Sequence, residues 1–171
     1  MNAFVILLRL IHIVLGVLWV GGAAMLTWFI LPTVGISGPG GSQFMQVLIG
    51  RTKLLRYMPS LGGLTVLAGF ALFWRDMSVS GESFAQSRAG MAFSIGGLAA
   101  LIGLIVGGIM MARPAKALGA IGAAVAQSGG SPSPDQAQRI AALQARMKTG
   151  SIVTVTLLLI ATVAMAVARY L

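Results

Sequence analysis

Residues 4–31 read FVILLRLIHIVLGVLWVGGAAMLTWFIL, and this stretch decides the fold. It contains no acidic residue and no proline. It also exceeds the roughly 20 apolar residues that a helix needs to cross the hydrocarbon core of a bilayer. The run is continuously apolar, without the polar alternation of a barrel strand, so it predicts a helix. A cleavable leader has an apolar region of only about 7–15 residues ending at small residues. This run, which carries Arg9 and His12 inside it, is therefore expected to be a retained spanning segment.

Three further stretches have the same character: residues 58–75, 90–112 and 151–169. Together they predict an all-α, four-helix transmembrane bundle in a single membrane domain spanning residues 1–171. Composition points the same way. The chain is 57% hydrophobic and only 9% charged, with a mean hydropathy of +0.93. A soluble chain usually carries about a quarter charged residues. With no cysteine, neither a disulfide framework nor a thiolate metal site can form.

The connections differ. Residues 32–50 hold Pro32, Gly35, Gly38, Pro39, Gly40 and Gly41, which predicts an irregular loop at the start of that segment. Residues 113–149 break at Ser128-Gly129-Gly130-Ser131-Pro132. Beyond the break, Ser133 is placed as an N-cap and Pro134 as a first-turn proline, with Asp135 complementing the helix dipole. The helix expected over 133–149 places Ile140, Leu143 and Met147 at three- and four-residue spacing among Arg139, Arg146 and Lys148. It is either a basic amphipathic helix lying on the membrane surface or an extension of the fourth spanning helix.

The net charge of +9 is unevenly spread. The first and third connections hold Arg51, Lys53, Arg56, Arg113, Lys116, Arg139, Arg146 and Lys148. The second connection and the C-terminus hold Arg75, Arg88 and Arg169. Cytoplasmic loops carry the Lys/Arg excess, so both termini are expected on the outer side of a multi-pass protein of the cell inner membrane. The partner expected for the cytoplasmic basic residues is a bilayer with anionic headgroups, not nucleic acid, since no basic–aromatic platform is present.

The three acidic residues, Asp76, Glu82 and Asp135, are all expected in connections. That leaves no carboxylate at membrane depth for a proton relay or cation site. The single histidine, His12, lies about two turns into the first run. Gly16 and Trp19 share its face, and Arg9 lies one turn earlier. Two outcomes satisfy an imidazole at that depth. It either hydrogen-bonds across to another helix, or it ligates a haem iron, with Gly16 leaving room for the ring and Arg9 near a propionate. One histidine excludes bis-histidine ligation within the chain. The second axial position would be Met165, an open site, or a ligand from another subunit. Small residues at helical spacing, Ala99, Gly103 and Gly107 in the third run and Ala161, Ala164 and Ala168 in the fourth, predict a close-packed seam.

Arg9-Leu10-Ile11-His12, Gly16, Trp19, Gly21-Gly22, Leu31-Pro32, Arg51, Leu55, Arg56, Met58-Pro59, Gly69 and Arg113-Pro114 resemble small integral membrane proteins of the CopD-like group. The HemJ-type protoporphyrinogen oxidases are similar in the same places. The resemblance implies a helical bundle that binds haem b through the first-helix histidine, here His12. The HemJ-type proteins also use a lysine near the start of a later helix, where this chain has Arg88. CopD-like copper handling uses further histidines, and this chain has none. Two functions follow as expectations. One is a haem-b-binding redox protein of electron transport, with His12 as metal ligand and Gly16, Arg9 and Met165 around the cofactor. The other is a cofactor-free accessory subunit packed in a larger membrane complex or homo-oligomer.

Overall fold

Prolines 32 and 114 do not end the helices that reach them. In the computed structural model, which describes residues 3–129 and 131–171, the first helix α1 runs over Ala3–Ile36. A helix-interior proline removes one backbone hydrogen bond and its ring presses on the carbonyl four residues back. For Pro32 that carbonyl belongs to Trp28, which lies in a π-helical turn over Leu26–Ile30. The same device recurs at Pro114: its partner four residues back is Met110, within a second π-helical turn over Gly108–Ala112. The wider turn makes room for the ring, so each helix continues where the sequence predicts a stop.

The predicted loop after residue 31 is accordingly helical. Following α1, helix α2 spans Gly38–Gly50, with Pro39 in its first turn, where no N–H is needed. Helix α3 covers Leu54–Ser80 and α4 covers Glu82–Gln86. Helix α5 runs over Arg88–Ser128 and α6 over Pro134–Ala168. Gly129, at φ 64°, stops α5 in the left-handed conformation that suits glycine. Gly130, part of the predicted break, lies outside the described residues. Ser133 and Gln136 form a reciprocal capping box at the start of α6. Of the two readings of residues 133–149, the extension of the fourth helix is the one found: the stretch is the first part of α6, with Met147 buried. Asp76 is a correction to the acidic-residue expectation: it lies inside α3, one turn before the end, and accepts from Arg75 Nη1 at 2.7 Å.

Among the described residues, α1, α3, α5 and α6 are long and apolar enough to cross a membrane. Their outer faces are large and apolar: Val17 is 67% exposed, Leu67 66% and Phe29 65%. Water does not tolerate such a surface on a monomer, whereas lipid tails match it. The bundle is an all-α, four-helix assembly made of two antiparallel pairs, α1 with α3 and α5 with α6. The pairs meet over Trp19, Leu61, Ala99, Ala100, Val155 and Leu158.

At about 1.5 Å per residue α5 is about 60 Å long, twice the hydrocarbon thickness of about 30 Å. Its second half therefore leaves the hydrocarbon and packs against α2, where Gly122 faces Gln46 and Gly119 faces Ile49. All eight basic residues of the first and third connections are exposed.

Candidate functional site

The α1–α3 contact is a ladder in which each large side chain meets a small one on the opposite helix. His12 lies on Gly69, Thr65 on Gly16, Trp19 on Gly62 and Met58 on Gly22. The register is antiparallel and regular, so the knob alternates between helices along the interface. Two of these glycines are required by close approach. A Cβ at Gly62 would lie 2.6 Å from Trp19 Cε2, and one at Gly69 would lie 2.7 Å from His12 Cε1.

His12 is half-buried in this ladder, and its Nδ1 lies 2.8 Å from the carbonyl oxygen of Thr65. A carbonyl can only accept, so Nδ1–H donates. In the neutral ring Nε2 then carries the lone pair. The hydrogen bond to another helix foreseen for the imidazole is present, and Nδ1 makes it.

The other residues expected around a cofactor do not gather at His12. Gly16 faces the Thr65 methyl, which would lie 3.4 Å from a Cβ placed there, so its vacated space is already filled. Met165 packs on Gly96 in the α5–α6 pair. Arg9 is exposed on α1. Among the described residues there is no group of three or more His, Cys, Asp or Glu that could hold a metal ion. The Thr65 methyl takes the room that Gly16 is expected to leave for a haem ring, and Met165 is engaged with Gly96.

The α5–α6 seam is closed in the same manner, with Gly103 against Leu158, Gly107 against Thr154 and Gly150 against Met110. The expected small-residue seam is present, and Gly103 and Gly107 both face α6.

Beside Trp19, residues of α1, α2, α3, α5 and α6 line a half-open, apolar pocket of about 120 Å³. Both π-helical turns border it, through Leu26 and Thr27 on one side and Gly108 and Met111 on the other. Its walls contain no charged residue and only three hydroxyls, those of Thr27, Ser151 and Thr154. Thr27 Oγ1 donates to Ala23 O at 2.8 Å, and Ser151 Oγ to Lys148 O at 2.9 Å. Thr154 Oγ1 is buried and has no hydrogen-bond partner.

Sequence reasoning passed over this pocket. A threonine in an apolar helix ordinarily donates to the carbonyl a turn back, as Thr65 and Thr162 do here. Nothing in the residue order sets Thr154 apart from them. The π turns are equally hidden, because Leu31-Pro32 and Arg113-Pro114 read as helix ends.

Compared with known proteins, the chain matches no family model, no curated protein and no solved structure.

Proposed function

We propose that this multi-pass helical protein is a non-catalytic accessory subunit of the cell inner membrane, contributing a rigid four-helix body to a larger complex or homo-oligomer. The observation that carries this reading is the use made of His12. The one imidazole in the chain ties α1 to α3 through Nδ1, with Thr65 as its acceptor and Gly69 leaving room for its ring. Cytoplasmic anionic headgroups are the lipid partner for the eight exposed basic residues.

A second reading, a haem-b-binding redox protein of the CopD-like or HemJ-type kind, is favoured by one specific observation. The Nδ1–H bond to Thr65 leaves Nε2 as a ligand atom, oriented by a carbonyl as metal-bound histidines commonly are. Bound haem would supply one-electron chemistry. His12 would hold the iron through Nε2.

One preparation separates the readings. The protein is purified under mild conditions from haem-replete native membranes, and its visible spectrum and co-purifying chains are recorded together. The accessory reading expects a colourless protein with stoichiometric partners or self-association. A Soret band lost in His12→Ala, with no stoichiometric partner, establishes the second reading and removes the first. A colourless, monodisperse monomer removes both.

A further inference from the structure

We infer that the half-open pocket beside Trp19 holds one acyl chain of an anionic phospholipid, whose phosphate lies among the basic residues at the pocket's rim. The inference deepens the lipid contact of the proposed function and rests on it for the charge of the headgroup alone. Two features of the pocket meet in this one occupant. The first is its wall, which contains no charged residue. The Thr27 and Ser151 hydroxyls donate to backbone carbonyls, and Thr154 Oγ1 is buried out of reach. The surface offered to a guest is therefore apolar. It includes four methionines, Met45, Met58, Met111 and Met147, whose flexible thioethers adapt to a flexible chain. An ion or a bare headgroup inside would enter uncompensated.

The form of the pocket suits a chain. Along α1 its lining runs from Trp19 to Leu31, about 18 Å of helix, in the direction that lipid tails take. Trp19, 5% exposed and seated on Gly62, stands at the inner end. The space of about 120 Å³ is close to the roughly 150 Å³ of an engineered apolar cavity that takes up benzene. A segment of one acyl chain fits there, and a second chain does not. Pro59, exposed on α3, gives the lining an edge at the protein surface, where the rest of the lipid would lie.

The second feature is charge. At the end away from Trp19, exposed cations adjoin the lining residues in the chain. Lys53 precedes Leu54, Arg113 follows Ala112, and Lys148 follows Met147. They come from the start of α3, the middle of α5 and the first half of α6, so three separate elements bring positive charge to one opening. No acidic residue lines the pocket. Asp135 lies about 18 Å before Met147 along α6, and Asp76 about 30 Å beyond Leu55 along α3. Anionic headgroups are drawn to basic residues placed in this way at the membrane surface. A neutral hydrocarbon would use the wall and ignore the rim, and a soluble anion would do the reverse. An anionic phospholipid uses both.

The test places the full chain in phosphatidylcholine nanodiscs and adds phosphatidylglycerol with brominated acyl chains, which quench tryptophan at short range. Trp28 and Trp74, both exposed, are replaced by Phe, which leaves Trp19 as the reporter. Lipid on the outer surface quenches that buried ring weakly, so strong quenching reports a chain in the pocket. Saturable quenching at low mole fractions of the anionic lipid is expected, with brominated phosphatidylcholine needing a higher fraction. Lys53→Gln and Arg113→Gln should each raise the half-quenching fraction about fivefold. Arg88→Gln, at the opposite end of the bundle, should leave it unchanged. Ala112→Leu, which fills the pocket from α5, should remove the saturable quenching. If Ala112→Leu misfolds, the two rim variants still decide, because both replace exposed side chains. Equal quenching of Trp19 by the two lipids overturns the proposal, as does quenching that the rim variants leave unchanged. A second protein that keeps Trp28 reports lipid on the outer face. Quenching of Trp28 selective for the anionic lipid, with none at Trp19, overturns the pocket site and leaves the headgroup contact standing. No selectivity at either tryptophan overturns both.

Discussion

His12 Nδ1 donates to the carbonyl oxygen of Thr65 across the α1–α3 interface, and the ring rests on the bare backbone of Gly69 one turn further along α3. The two contacts are coupled, because the ring that makes the hydrogen bond is held in place by the glycine beneath it. A methyl group at position 69 would meet the imidazole before the bond could form.

A double-mutant cycle tests that coupling. Gly69→Ala should overpack the ring and destabilise the protein by about 1–3 kcal/mol. His12→Ala should cost about 1–2 kcal/mol, from one interhelical hydrogen bond and the space left behind. With the ring gone, the added methyl has room, so the double variant should be more stable than the sum of the two changes predicts. Thermal unfolding in detergent reads all three. Strict additivity would mean that residues 12 and 69 do not touch.

The α5–α6 seam offers a second measurement. A Cβ at Gly103 would stand 3.3 Å from Leu158 Cδ2, and Leu158 is 1% exposed, so the wall there has nowhere to move. Gly103→Leu should destabilise by about 1–3 kcal/mol or more. Gly107→Leu should cost less, because its nearest neighbour is the Thr154 side chain beside the pocket, which can yield. Equal or negligible effects on thermal stability in detergent would contradict the packing described here.

Sidedness is tested by labelling. Single cysteines at Ser42, Ser83 and Ser131 are treated with an impermeant thiol reagent in intact cells. The eight exposed basic residues on one side predict that Ser83 is labelled and that Ser42 and Ser131 are protected. The opposite pattern would place both termini in the cytoplasm.

The residues by themselves determined that the chain crosses a bilayer as helices, because four continuous apolar runs leave no other way to satisfy their backbone groups in lipid. They also determined the start of α6, since Ser133 and Pro134 act within one turn, and they marked the glycine seam of α5. Capping and helical spacing are local effects, and local effects are legible in order alone. Tertiary structure alone decided the rest. Whether Pro32 ends a helix depends on whether Trp28 and its neighbours can widen into a π turn, and packing around that turn settles it. The partner of His12 lies 53 residues away, so only the antiparallel register of α1 and α3 could select Thr65 over every other carbonyl. Thr154 is a threonine like the others until packing against Gly107 leaves its hydroxyl buried with no partner. A hydroxyl is left unpaired by what surrounds it in space, and that information is not carried by its neighbours in the chain.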